Sequence, residues 1–565
     1  MTSSHSTKGK SPIEMLYHWE KETPNNIYLR QPIDNQWHDY SFAKVANEAR
    51  CLTQSLFEFG FKKGDKIALI SKNCAQWVIT DLALQLGGFV SVPLYFDQTP
   101  ESFKYILEHS DAKGLFVGKL EQGVWNRLKN HIPKGIIKMG FSFHGQDADC
   151  QKDKNMDHLW QDLISLNQPL KDCPVPNDKD PWTIIYTSGT TGHPKGAVHN
   201  YAAPRFIGGH IMNVFNLGPQ DSVLSFLPLA HVAERILVEA NSLYCGMQIC
   251  FIQSQDTFKR DLTEVQPSVF FSVPRLWKKF QGGILEKVPQ KKLDLLLKIP
   301  LVNGFISRKL RHALGLSNAR FVISGAAPLS VDLLEWYAKL GIEILEGYGM
   351  TENFAYGFMG RPGNTRPGTV GTQLPDSGFK ISEQGEVLFK SPALMQGYYK
   401  DPIKTKEAFN DEGYLLTGDM GELDKDGNLK ITGRIKETFK TEKGEYVAPA
   451  PIEARLASLK DFEQICLAGL GLCQPVVVAT LSVQATNKPA AELENKISDH
   501  IKQINLNLLN HEKIGGVILS NEDWQPDTGL VTPTLKVKRN MIEKRYGKLM
   551  AQAVNTNDNI LWESK

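Results

Sequence analysis

The sequence predicts an α/β protein of layered, mostly parallel sheets, followed by a smaller α+β unit. Short apolar runs alternate with helical patterns from about Ser11 to Thr432, which is the mark of successive βα units. After about residue 375 the runs pair as hairpins instead. The 565 residues also exceed what one hydrophobic core holds, so at least two domains are expected.

In chain order, the polar stretch 1-MTSSHSTKGK-10 reads as a disordered tail. Strand-like runs follow at 67-IALIS-71, 89-FVSVPLY-95, 114-GLFVG-118, 222-SVLSFLP-228, 248-QICFI-252, 269-VFFSVP-274 and 320-RFVISGAAP-328. Helical patterns lie between them, as in 75-AQWVITDLALQLGG-88 and 101-ESFKYILEHSD-111. The runs 379-FKISEQGEVLFKS-391 and 420-MGELDKDGNLKITGR-434 read as hairpins, turning at Glu383-Gln384-Gly385 and Asp426-Gly427-Asn428. A boundary near Arg434–Lys436 divides the chain into domains 11–434 and 435–565, the second of about 130 residues, a normal domain size. That domain holds a helix over 451–461 that starts on a proline, and a strand over 475–483.

Bulk properties exclude several classes. Apolar content of 41% and charged content of 22% fit an ordinary globular protein. A net charge of +2 gives no bulk signal for nucleic acid. The eight cysteines include no CxxC pair, so a zinc site is not expected, and they read as reduced thiols of a cytoplasmic protein. The N-terminus lacks the apolar core of a signal peptide. No run approaches the roughly 18 apolar residues of a membrane span, so any membrane contact is peripheral, at the inner membrane. Monomer and homodimer both remain open.

The stretch 184-IIYTSGTTGHPKGAVHN-200 concentrates small and hydroxylated residues beside one lysine. An apolar run leads in and a helix-like segment leads out. Glycines allow backbone N–H groups to approach an anion, and consecutive N–H groups form a nest for phosphate oxygens. A flexible surface loop would have the same composition. A Walker A loop would end Gly-Lys-Ser/Thr; here Pro194 precedes Lys195 and Gly196 follows, so NTPase chemistry of that kind does not follow.

On these residues the sequence resembles the adenylate-forming superfamily of acyl- and aryl-CoA synthetases, luciferases and adenylation domains. The resemblance rests on 186-YTSGTTGHPKG-196, 227-LPLAHVAER-235, 324-SGAAPL-329, 347-GYGMTE-352, 414-YLLTGD-419, 433-GRIKETFKTEKGEYVAPAPIE-453 and 532-TPTLKVKR-539, in the order the family has them. The stretch 411–453, ending GEYVAPAPIE, is most like fatty acyl-CoA synthetases, and 271-FSVPRLWKKF-280 is like their long-chain members. The resemblance implies a large layered N-terminal domain with a small distorted β-barrel, and a mobile C-terminal domain.

It also implies roles. Thr187, Ser188, Gly189, Thr190, Thr191, Gly192 and Lys195 would hold the β- and γ-phosphates of ATP. Thr351 would bind the α-phosphate and Glu352 a magnesium ion. Gly325, Ala326, Gly347, Tyr348 and Gly349 would form the adenine slot, with Tyr348 stacked on the base. Asp419 would accept both ribose hydroxyls, with Arg434 in support. His231 would sit at the carboxylate end of the acyl pocket; a packed core histidine is its plainer reading. Lys536 would bridge the carboxylate and α-phosphate. Leu535 stands where many relatives carry glycine, which keeps Lys538 open as the catalytic lysine; Arg539, three residues on, favours Lys536. Lys436 would be the domain pivot, and Gly444 with Glu445 would line the CoA tunnel, unless Gly444 is an ordinary turn glycine. The expected activity is an AMP-forming fatty acid–CoA ligase that uses ATP, CoA and magnesium. Aryl-CoA ligases, acyl-AMP ligases that load a carrier, and ring-closing synthetases share the chemistry, and a non-catalytic nucleotide or acyl binder would share the fold.

Overall fold

The computed structural model describes residues 9–141, 156–165, 168–172, 174–187, 193–525, 528–532, 536–555 and 560–563. Within them two large sheets are stacked with helices between. One has nine strands and a parallel centre that contains Val269–Ser272, Phe321–Ser324 and Ile344–Tyr348. The other has eight, with Lys66–Ile70, Val90–Leu94 and Ala112–Val117 parallel at its centre. The expected runs form strands whose ends lie within four residues of those expected; Ile344–Tyr348 is an additional strand.

The helix Ala75–Leu86 explains how the layers are held together. All twelve of its residues are buried. A helix this largely apolar belongs inside the protein, and this one sits in the core shared by both sheets. Its one charge, Asp81, is matched by Arg235 at 2.8 Å, and Glu239 lies 3.1 Å from the same guanidinium nitrogen. Burial pushes the Glu239 carboxyl well up, while Arg235 holds Asp81 ionised. The two carboxyl groups thus share one guanidinium unequally in a low-dielectric interior. The guanidinium also faces the Trp77 and Trp182 rings, 5.2 and 4.8 Å from their centroids.

Both predicted hairpins are present, Lys380–Ile381 with Glu386–Phe389 and Leu415–Leu423 with Leu429–Arg434. Together they make a four-stranded antiparallel sheet over a small core of Phe358, Val387, Phe389 and Leu429. The bridge Thr372–Asn428 joins this small β unit to the edge of the nine-stranded sheet. The C-terminal region has a four-stranded sheet of its own, with separate apolar clusters on its two faces. Its helix Pro449–Leu456 stops short of the expected Asp461 at the C-cap Ala457, and Asp461 instead receives Lys488 and Lys496, each at 2.5 Å.

At the other end, residues 1–8 of the expected tail lie outside the described residues. The Gly9 and Lys10 carbonyls are held by Arg205 and Tyr244. The thiols of Cys51, Cys74, Cys245, Cys250, Cys466 and Cys473 are free. No helix among the described residues is long and apolar enough to cross a membrane.

Candidate active site

The strand Pro181–Thr187 leads into the glycine-rich loop. The segment that leaves it is not the helix expected but a second strand, Lys195–Asn200, antiparallel to the first. Its alternation puts Ala197 and His199 inside, and the helix Ala202–Phe215 begins only after Asn200. The strands on either side of the loop thus form a hairpin pair, with Thr187 directly across from Lys195. Ser188, Gly189, Thr190, Thr191 and Gly192 lie outside the described residues. Burial pushes the Lys195 ammonium below its ordinary pKa; Lys404 and Lys436 add to this, and Glu352 and Asp401 oppose it. Its Nζ stands 5.0 Å from the Tyr398 ring centroid.

The hairpin carries a residue that sequence reasoning passed over. His199 is fully buried, and its Nε2 donates to the Thr351 carbonyl at 2.8 Å. Burial lowers its pKa to about 4, so the ring is neutral at pH 7. Next along, the Glu352 carboxylate is buried and accepts the Tyr398 hydroxyl at 2.7 Å. Tyr398 lies on Gly397–Tyr398, which pairs with the hairpin strand at Ala197 and Val198. Hence Thr351 and Glu352 are held by the hairpin that carries the glycine-rich loop and by the strand paired with it. Both partners were visible as letters, His199 inside the quoted stretch and Tyr398 in 395-MQGYYK-400, but only the strand pairing reveals their targets.

The strand Ile344–Tyr348 runs out into Gly349. A Cβ on Gly349 would stand 2.5 Å from the Ala355 carbonyl carbon, so no larger residue fits without backbone movement. Gly325 and Gly347 are less crowded, with nearest neighbours at 3.5 and 3.4 Å. Ala326 is exposed and left-handed at φ 68°, a conformation costly for a residue with a Cβ and concentrated at functional sites.

Asp419 and Arg434 face each other in register across the small β unit. Arg434 Nε donates to Asp419 Oδ1 at 2.6 Å, and the Tyr348 hydroxyl donates to Oδ2 at 2.7 Å. Each carboxylate oxygen keeps a second acceptor position toward the cleft. Burial works against the Arg434 charge, but Asp419 outweighs it and raises its pKa.

Lys536 enters this cleft from the C-terminal region. Its backbone N–H is held by Thr532 Oγ1 at 3.1 Å, and its side chain keeps an exposed surface although protein crowds it on most sides. That crowding lowers its pKa first and Arg434 adds to it, while Asp419, Glu352 and Glu437 pull the other way. The Lys536 charge reaches His231 as well. His231 is half-buried; its Nδ1 accepts from Ala233 N at 3.2 Å, which leaves Nε2 as the donor. Burial first, then Lys536, takes its pKa down to about 4. The segment that carries it is fixed from below by Asn73, which donates to Leu227 O at 2.6 Å and Ser225 Oγ at 2.7 Å. Ser225 and Asn73 also reach Glu234, whose buried carboxyl is pushed up to about 8.

The remaining expected residues, Lys436, Gly444 and Glu445, are exposed. Lys436 is exposed on the short turn Ile435–Glu437, within reach of the Lys195 charge. Gly444 has φ 82° in a turn closed by Thr441 and Glu445, and nothing lies within 4 Å of a Cβ there. The turn requires glycine on its own account, and the space beside it is open. Glu445 is exposed.

A family model described as "AMP-binding enzyme" matches residues 16–399. A long-chain-fatty-acid–CoA ligase of Mycobacterium bovis, FadD15, is 29% identical over 581 aligned positions that cover 94% of this chain and 95% of that one. The human long-chain-fatty-acid–CoA ligase 1 is 31% identical, over 90% of this chain and 81% of its own. In three dimensions the chain is similar to an anthranilate CoA ligase solved with anthranoyl-AMP, at a TM-score of 0.78 and 21% identity, over 98% and 100% of the two chains. It is similar at the same TM-score to the adenylation domain of a carboxylate reductase from Mycobacterium chelonae, at 22% identity over 97% and 92%. The cleft of Glu352, Asp419, Arg434 and Lys536 is therefore set in a fold shared with adenylate-forming enzymes, and the chain belongs to the family of AMP-binding enzymes.

Proposed function

We propose that the protein is an AMP-forming acid–thiol ligase that activates a long-chain fatty acid with ATP and transfers it to CoA, in the cytoplasm where both co-substrates are supplied. A carboxylate is a poor acyl donor because its leaving group would be oxide. Attack of a carboxylate oxygen on the α-phosphorus forms a C–O–P linkage and expels pyrophosphate. The CoA thiol then attacks the acyl carbon, the bond to AMP breaks, and the thiol proton passes to water. The observation that carries the reading is the approach of Lys536 to Asp419, Arg434, Glu352 and His231 in one cleft.

Neither step needs a protein nucleophile, so the residues act by positioning and by charge. Asp419 offers its two free acceptor positions to the ribose hydroxyls. Tyr348, already tethered to Asp419, offers its ring to the base beside Gly325, Ala326, Gly347 and Gly349. Lys195, with Thr187 across the hairpin and the loop Ser188–Gly192, holds the β- and γ-phosphates. Thr351 meets the α-phosphate, and Lys536 stabilises charge between it and the incoming carboxylate. Neutral His231 presents an N–H donor toward the acyl end.

The donor set also suits magnesium. Glu352 is a buried carboxylate with one oxygen engaged by Tyr398, an all-oxygen, single-carboxylate site of the kind a hard cation accepts when water and phosphates supply its other ligands. When bound, the ion would neutralise phosphate charge.

Lys536 at the reacting centre fits the first half-reaction and would obstruct a thiol in the second. We therefore divide the chain into an N-terminal domain, 11–434, and a mobile C-terminal domain, 435–565, pivoting at Lys436. The separate C-terminal sheet supports this, as do polar links to the rest of the chain such as Arg275–Glu463 at 3.1 Å and Gln484–Glu286 at 2.9 Å. Rotation would withdraw Lys536 and bring Gly444 and Glu445 to the pantetheine path. The deciding experiment is a CoA-thioester assay over acids from acetate to stearate and a few aromatic acids, with AMP release followed with and without CoA. Long-chain acids should give the highest kcat/KM and require CoA. A preference for aromatic acids, or CoA-independent AMP release with transfer to a carrier, would overturn the assignment.

A further inference from the structure

The modest net charge of the chain conceals a strong local imbalance. Residues 274–313 contain ten Lys or Arg and two Asp or Glu, a net of +8 against +2 for all 565 residues. They form three consecutive helices, Pro274–Lys287, Gln290–Lys298 and Pro300–Ala313. The last two pack against each other.

Their inward faces are satisfied. Leu293 is buried, and Leu297, Ile306 and Leu310 pack on the core formed with Trp277 and Phe270. The outward faces are unusual. On the second helix Lys291, Lys292, Leu295 and Lys298 are exposed, followed by Ile299. On the third, Phe305, Arg308, Lys309 and His312 are exposed. Each set recurs at three- or four-residue spacing and so forms one stripe along its helix. Leu295 and Phe305 are each 64% exposed and Ile299 46%. Asp294 is turned inward, half-buried and bound by Gln290 at 2.9 Å. None of Lys291, Lys292, Lys298, Arg308 or Lys309 forms an ion pair with another described residue. By contrast, both arginines of the basic C-terminal segments are paired, Arg539 with Glu453 at 2.8 Å and Arg545 with Glu563 at 3.1 Å.

We infer that the helix pair Gln290–Lys298 and Pro300–Ala313 is a docking face for an anionic phospholipid bilayer. Large apolar tips flanked by unpaired cations suit the boundary between headgroups and acyl chains, where the tips enter the apolar layer and the cations lie among lipid phosphates. An acidic protein surface would match the charge, but it would leave Leu295, Ile299 and Phe305 needing fitted pockets. A bilayer takes both kinds of side chain without a register. This face lies outside the nucleotide cleft, so the inference goes beyond the proposed reaction.

Co-sedimentation of the full chain with two kinds of vesicle tests it: pure phosphatidylcholine, and phosphatidylcholine with about a third phosphatidylglycerol. The wild type should bind the anionic vesicles at least roughly tenfold better, and binding should fall steeply as salt is raised. Lys291→Glu/Lys298→Glu should abolish binding, and Phe305→Ser should weaken it severalfold at unchanged charge. All three proteins should retain ATP–pyrophosphate exchange with a soluble acid, which separates loss of docking from loss of fold or of the proposed reaction. Equal binding to both vesicles, binding unaffected by either variant, or binding to neither vesicle would overturn the inference; the last would leave an acidic protein as the occupant.

Discussion

His199 Nε2 donates to the Thr351 carbonyl at 2.8 Å, from a buried position on the strand that follows the glycine-rich loop. This one bond ties the hairpin that carries Lys195 to the turn that carries Thr351 and Glu352. His199→Ala removes one of the two donors to the Thr351 carbonyl, the other being the Phe354 N–H at 3.1 Å, at a cost of about 0.5–1.5 kcal/mol. It should lower kcat/KM for ATP by roughly tenfold or more in pyrophosphate exchange. His199→Gln, which restores an N–H donor, should recover part of the loss. A variant that loses thermal stability but keeps its ATP kinetics would confine His199 to a structural part.

Lys536 and Lys538 make opposite predictions. Lys536→Ala should reduce acyl-adenylate formation by roughly 100-fold or more, as removal of a charge-stabilising group does, yet spare thioester formation from supplied acyl-adenylate. Lys538→Ala should leave both half-reactions within about threefold of wild type. Equal loss of both half-reactions in Lys536→Ala would remove it from the adenylation step.

Two glycines of the proposed adenine slot should separate by packing. Gly349→Ala forces a Cβ to within 2.5 Å of Ala355, so it should destabilise the protein by about 1–3 kcal/mol in thermal or urea unfolding. Gly325→Ala meets nothing nearer than 3.5 Å. It should fold normally and show its effect as a raised KM for ATP. Equal unfolding midpoints for the two variants would refute the steric argument.

Glu234 predicts a pH dependence of stability. Burial raises its pKa from 4.5 to about 8 in the folded state, so between those values the folded chain holds a proton that the unfolded chain has released. Stability must then fall as pH rises through that window and level off above it. Glu234→Gln keeps an acceptor for Ser225 and removes the proton. The variant should therefore gain in melting temperature relative to wild type from pH 5 to pH 8. A constant difference would show that Glu234 does not titrate there.

The βα alternation, both hairpins and the order of the motifs were legible in the sequence, because they depend on local periodicity and on residue types adjacent in the chain. The helix expected after Lys195 was not: Lys195–Asn200 is short, and its pairing with Pro181–Thr187 decides its conformation. Likewise the helix expected to reach Asp461 ends at Leu456, and Asp461 instead receives lysines 27 and 35 residues further on.

By itself the sequence determined the fold class, the glycine-rich loop, and the identity of Glu352, Asp419, Arg434 and Lys536 as candidates. Only the tertiary structure decided that His199 supports Thr351, that Tyr398 holds Glu352, and that Lys536 crosses from the C-terminal region to Asp419 and Arg434. Motifs are read along the chain, whereas hydrogen bonds and electrostatic fields act across space, between residues up to about 300 positions apart in this protein.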